Sequence, residues 1–342
     1  MNFKEEFQYV GNTDQLMRVK RMRMQDGKAD GVQMLDVCNR SGLHFDVNLS
    51  RGMDIPYLDF NGENIGFISP CGVVAPTYFD DKGLGFLKSF TAGFMTTCGL
   101  KLAGAPCEYE GAAYGLHGNV SHTPAEEVSY RIVEADVPYV KIEGTVRDSV
   151  IFGDKLALHR ELRCYYKERR IEIADRVVNE GYTRARHMIL YHCNIGYPML
   201  TPKSEVFIPS AEVKPRSEHA REGLADWMKP EQSTPGYEEM CYYHKLRAAA
   251  DHRAHVAVFN PELDFGIEIE IDPSTLDHFV QWKMMGARDY CMGLEPGNAT
   301  IDGIADAVQN GSMKYLEPQQ SVEYHLAFRI LSGRAEFEAV KY

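Results

Sequence analysis

Several common functional signatures are missing from this chain. Its eight cysteines (Cys38, Cys71, Cys98, Cys107, Cys164, Cys193, Cys241, Cys291) are scattered. No C-x-x-C pair is present to bring two sulfurs onto one zinc ion or into one redox bond. Dispersed cysteines in a 342-residue chain read as reduced thiols rather than a disulfide framework. The opening Met1-Asn2-Phe3-Lys4-Glu5-Glu6 has no apolar h-region, so no secretory signal is expected and the cytoplasm is the expected compartment. No apolar run nears the roughly 20 residues that span a bilayer. Positive charge is also short: 37 Lys and Arg stand against 49 Asp and Glu, a net charge of −12. Such a surface repels phosphate backbones and anionic lipid, which argues against nucleic acid or membrane partners. Helical periodicity is scarce, confined to Ser217–Lys229 and a short stretch near Lys245–Asp251.

What the chain has in quantity is strict alternation, which places every second side chain on one face of a strand. Leu43, Phe45, Val47 and Leu49 alternate with His44, Asp46, Asn48 and Ser50. Phe265 to Asp272 and Val322 to Ile330 repeat the pattern. Weaker versions run through Val128–Ile132, Val140–Val146, Leu162–Tyr166 and Ile171–Val177. Tight-turn chemistry separates them, at Asp26-Gly27, Asn61-Gly62, Asn179-Glu180-Gly181 and Asn310-Gly311. One apolar and one polar face per strand, with few helices, predicts an all-β fold: a large antiparallel β-sandwich. No low-complexity linker, charge block or internal repeat divides it. Pro202–Pro235 reads as a long excursion, and residues 1–342 as a single domain.

Three segments combine glycine or proline with ionisable groups: Gly115-Leu116-His117-Gly118, Leu190-Tyr191-His192-Cys193-Asn194, and Gly293-Leu294-Glu295-Pro296-Gly297. Alone, a histidine near a turn is more often structural, and a glutamate before Pro-Gly is ordinarily solvated. Taken together and in order, they resemble the aldose 1-epimerase (galactose mutarotase-like) superfamily, in a bacterial branch of unassigned substrate. The resemblance runs from about Val32 to Ile330. It is strongest in Leu162–Pro198, where Val177-Val178-Asn179-Glu180-Gly181 matches a V-x-N-x-G turn that precedes a strand ending in histidine. The family usually follows that histidine with an aromatic and Asn-Leu, whereas this chain has Cys193-Asn194-Ile195. No residue aligns with the aspartate that binds a sugar hydroxyl in well-studied mutarotases.

The resemblance implies a galactose mutarotase-like supersandwich and an isomerase that interconverts sugar anomers by opening and closing the hemiacetal ring. One group takes the anomeric proton while another protonates the ring oxygen, so neither metal nor organic cofactor is required. By resemblance Glu295 is the base, His192 the acid, and His117 a polarising partner. Arg51, Gln281, Trp282, Lys283 and Asn298 are candidate sugar contacts. Arg51 and Lys283 leave room for an acidic, sulfonated or phosphorylated sugar. Thr96–Leu100 is a candidate cleft wall, Cys193 a packing residue and His122 a surface residue. A small-molecule sugar is the expected partner, and the oligomeric state is left open, a homodimer included. Two other readings compete: a metal-dependent sugar isomerase holding its ion with His117, His122, His192 and Glu295, and a non-catalytic carbohydrate-binding or sensory protein.

Overall fold

The computed structural model describes residues 2–341. Two large antiparallel sheets face each other across one core. The first pairs, in spatial order, the strands Glu126–Val133, Tyr139–Ser149, Lys155–Tyr165, Arg170–Asn179, Ser321–Ser332, Phe265–Ile271, Ala254–Asn260 and Glu205–Phe207. The second runs Ser210–Pro215, Met240–Leu246, His278–Gly286, Asp289–Gly297 and Ala185–Ile195, and Ala185–Ile195 also pairs with Met95–Leu100 and Lys314–Leu316. A smaller sheet of Arg18–Arg23, Gln33–Cys38, Leu43–Asn48, Leu58–Phe60 and Glu63–Asn64 packs its apolar face against the same core.

The alternating runs are the strands, and their apolar phase is the phase that is buried. Phe265, Ile267, Ile269 and Ile271 lie in the core with Ile171, Ile173, Tyr324, Leu326 and Phe328. Asn61-Gly62 makes the two-residue hairpin its sequence predicts. Both residues have positive φ (53° and 86°), and Phe60 pairs with Glu63. The two helical readings fare worse. In Ser217–Lys229 only Glu218–Glu222 is α-helix. It stops at Gly223, where an added Cβ would come within 2.4 Å of the Met240 sulfur. Lys245–Asp251 is no helix: Met240–Leu246 is a strand paired on both sides, and a turn follows. The eight cysteines are free thiols.

The middle of the sandwich is polar. Arg160, on the first sheet, donates through Nη2 to Asp175 Oδ2 at 2.7 Å and through Nε to Oδ1 at 3.0 Å. Tyr191 Oη, on the second sheet, donates to the same Asp175 Oδ2 at 2.7 Å. Arg160 Nη1 also donates to the Gly52 and Met53 carbonyls, which fixes the turn after Leu43–Asn48. All three side chains are sealed from solvent. Removing one partner of such a set strands a charge in an apolar interior, which is far costlier than the set itself is stabilising. Asp175→Ala should therefore lower the unfolding free energy by about 3–5 kcal/mol, measured by urea titration. Replacing Arg160 by Met in the same chain should recover part of that loss.

Candidate active site

Strand parity builds the site. On Ala185–Ile195 the odd residues Ile189, Tyr191, Cys193 and Ile195 enter the inter-sheet core. His192 therefore points out of the opposite face. On Asp289–Gly297 the core takes Met292 and Leu294, which turns Glu295 outward as well. The pairing of Cys193 with Leu294 sets His192 across from Glu295 on the neighbouring strand. Their Nε2 and Oε1 atoms stand 3.2 Å apart, both side chains nearly closed to solvent. This contact is a close approach without hydrogen-bond alignment, since Glu295 Oε1 has no hydrogen-bond partner, and neither does His192 Nδ1. Gly293 makes room for the carboxyl: a Cβ there would come within 2.3 Å of Glu295 Oε1.

Trp282 follows on the next strand, paired with Gly293 on one side and Cys241 on the other. Its ring meets His192 edge-on at 5.5 Å. Its Nε1 donates to Glu239 Oε2 at 2.7 Å. His117 arrives from a loop and completes a pair of imidazoles, 5.5 Å from His192 between ring centres. Its backbone has φ 60°, unusual for a residue with a side chain. Gly118 beside it is required, because a Cβ would lie 2.4 Å from the Gly99 carbonyl. The His117 amide donates to Gly104 O at 2.8 Å, and the Gly104 amide donates to His117 Nδ1 at 3.2 Å. Nδ1 is thereby an acceptor, which leaves the ring hydrogen on Nε2 as a donor.

These four side chains line one cavity of about 320 Å³, together with Arg216, Glu239 and Cys241 on one side and Leu84, Phe86, Leu87, Phe90 and Leu116 on the other. Burial sets the protonation. It pushes the Glu295 carboxyl well above the ordinary carboxylate range, and Glu239 adds to the effect. It pulls His192 down to about 4, and it holds His117 well below its usual value, with the nearby His192 and Arg216 helping. Burial thus favours the neutral form of the Glu295 carboxyl and of both imidazoles.

Of the candidate sugar contacts, Trp282 alone lines this cavity. Gln281 and Lys283 flank it in sequence and so face the other side of the sheet. Gln281 bonds the Trp227 carbonyl and His244. Lys283 is fully buried against Glu231 and the Asp226 carbonyl. Asn298 is a buried brace that accepts from the Ile189 amide at 2.8 Å and donates to Tyr324 Oη at 3.0 Å. Arg51 lies one layer behind the cavity, bonded to the Ser89 and Ser121 carbonyls and to His122 Nε2. His122 is not a surface residue: it is 6% exposed and stacks on Phe79 at 3.8 Å. Thr96–Leu100 is the strand beside His192 rather than a cavity wall.

Sequence reading missed Arg216, Glu239 and the Leu84–Phe90 loop. The first two sit in the connection between the strands Ser210–Pro215 and Met240–Leu246, and nothing in their spacing marks them. His122 is committed to Arg51, Ser89 and Ser121, so a four-ligand metal set with His117, His192 and Glu295 does not assemble. Among the described residues, three ligand atoms converge at Asp36, Cys38 and His44 and at His255, Glu268 and Glu270. Arg18 and Asp59 already occupy partners in the first group, and Arg329 and Arg170 in the second.

Comparison with solved structures returns this architecture repeatedly. A candidate aldose 1-epimerase from Klebsiella pneumoniae superposes with a TM-score of 0.92 at 27% identity, over 96% of this chain and 89% of that one. A galactose mutarotase-like protein from Clostridium acetobutylicum gives 0.66 at 11% identity, over 93% and 99%. Galactose 1-epimerase from Lactobacillus acidophilus gives 0.62 at 11%, over 93% and 100%. A search of curated protein sequences finds no match. A family model described as a domain of unknown function, DUF4432, matches residues 29–330. The chain belongs to that DUF4432 family, built on the galactose mutarotase-like β-sandwich.

Proposed function

We propose that the protein is an aldose 1-epimerase-type isomerase that exchanges sugar anomers in the His117–His192–Glu295 cavity. The observation that carries this reading is an imidazole and a carboxyl group 3.2 Å apart, each with a buried, unpartnered polar atom, at the floor of a sugar-sized cavity. A binding module needs hydrogen-bonding groups; it has no use for a buried pair that holds one mobile proton between opposed pKa shifts.

Ring opening takes the proton from the anomeric hydroxyl, breaks the bond between the anomeric carbon and the ring oxygen, and delivers a proton to that oxygen. Closure on the other face reverses each step, so no proton is gained or lost. A bound sugar offers hydroxyls to Glu295 Oε1 and His192 Nδ1, which have no partner within the protein. Transfer of the shared proton from Glu295 to His192 then yields a carboxylate base and an imidazolium acid. His117 Nε2–H donates to oxygen that gains charge as the ring opens. Trp282, its indole NH tied to Glu239, offers a flat apolar surface for a pyranose face.

The pair works with one proton. Anomer-exchange rates should therefore fall below about pH 4, where His192 takes a second proton, and fall again at high pH, where Glu295 loses its own. Exchange measured by NMR magnetisation transfer over a sugar panel checks this profile. Glu295→Gln and His192→Gln should each lower kcat by about 10²- to 10⁴-fold. Wild-type exchange rates in Glu295→Gln would overturn the mechanism.

Stability carries a second signature. Above pH 4.5 the folded chain keeps a Glu295 proton that the unfolded chain releases, so this group's contribution falls as pH rises toward its folded pKa. Glu295→Gln should accordingly gain stability relative to wild type as pH rises from 4.5 toward 7. The gain should vanish as pH approaches 4.5. Thermal unfolding of the two proteins at pH 5 and pH 7.5 reads the difference.

A further inference from the structure

The cavity has one polar end and one apolar end, and the acid–base pair lies between them. Sheet order fixes the layout: Cys241, Trp282, Glu295 and His192 sit on successive neighbouring strands. Beyond Trp282 lie Glu239 and Arg216. Glu239 spends one carboxylate oxygen on the Trp282 NH and has the other to offer. Arg216 donates through Nε to Asp302 Oδ1 at 2.7 Å, and its guanidinium also lies against the Cys241 thiol. Beyond His192 the wall is Phe90, Phe86, Leu87, Leu84 and Leu116. Leu84 and Leu87 are 60% and 51% exposed, apolar surface that a ligand could cover.

Charge at the polar end decides against an anionic substrate. Among the described residues Arg216 is the sole cation lining the cavity, and it faces Asp302 at salt-bridge distance, with Glu239 close by. The balance there is negative, so a uronate, sulfonate or phosphate would meet repulsion. Arg51 and Lys283, which left that class open in the sequence, are consumed elsewhere by buried partners.

The placement of polar partners narrows the neutral sugars. His117, His192 and Glu295 serve the ring oxygen and the anomeric hydroxyl. Glu239 and Arg216 can serve two of the three remaining ring hydroxyls. The exocyclic carbon, which projects furthest from the ring, is left for the Leu84–Phe90 wall, where a hydroxyl would find no side-chain partner. A hydroxyl desolvated against leucine and phenylalanine loses its water without replacement, whereas a methyl gains from the same burial. We infer that the substrate is a neutral 6-deoxyhexose, its methyl group seated on the Leu84–Phe90 wall. This rests on the anomer-exchange reading for the reaction, though not for binding.

The test compares glucose, galactose and mannose with their 6-deoxy and uronate counterparts, by anomer-exchange rate and, separately, by saturation-transfer binding to wild type and Glu295→Gln. The 6-deoxy sugars should exceed their hydroxylated parents by about 10- to 100-fold in kcat/KM and in binding, the range a hydrophobic pocket achieves against one added hydroxyl. Uronates should be the poorest. Leu87→Asn, which puts a polar group at the open mouth, should narrow the preference for the 6-deoxy sugar. Parents or uronates that match the 6-deoxy sugars in both readouts would overturn the inference. Selective binding of 6-deoxy sugars with no accelerated exchange would uphold it and defeat the mechanism instead. No binding by any member of the panel would sink both.

Discussion

Asp175 is the point on which the interior turns. It accepts from Arg160 on its own sheet and from Tyr191 on the opposite sheet, in a space that no water reaches. An apolar core would tolerate sliding between sheets at modest cost, but a shared carboxylate with fixed donors permits one alignment. The consequence runs one residue further. Because Tyr191 must point inward to reach Asp175, His192 must point outward, and alternation then carries the same choice across to Glu295 and Trp282. The buried ion pair and the acid–base pair are thus two sides of one strand. Arg160 extends the frame by holding the Gly52 and Met53 carbonyls, and Asp54 in the same turn accepts from the Thr97 amide on the strand beside His192.

The protonation pattern belongs to the same logic. Burial at the floor of the cavity penalises charge on the groups held there, so the Glu295 carboxyl goes up and the imidazoles go down.

Much of the fold could be read from sequence because alternation survives without any partner being known. Each strand's buried phase is visible in its own residues, as in Phe265–Ile271, and Asn61-Gly62 announces its turn locally. The site was legible where a side chain's neighbours betray it: glycines around His117, an apolar strand leading to His192, Pro-Gly after Glu295. Parity would also have separated Trp282 from Gln281 and Lys283, since adjacent residues on one strand cannot share a face. Asn298 and Arg51 were beyond reach, because a brace and a ligand contact have the same appearance until their partners are known. Arg216 and Glu239 went unseen for a related reason. They come from a segment with no period, and only the folding of that segment over the sheet brings them to the cavity. The helix read at Ser217–Lys229 is cut short at Gly223, which packs against Met240.

The division of labour around the cavity has a consequence for how such a protein diversifies. His192, Glu295 and Trp282 are locked in register, and a one-residue slip in any of their strands would send the reactive groups into the core. The Leu84–Phe90 segment is a loop-borne wall that owes nothing to that register. On the proposed reading, reaction and selectivity are carried on separate pieces of chain. On that reading, changes confined to this one loop would let a sheet that is almost forbidden to change serve a succession of different sugars.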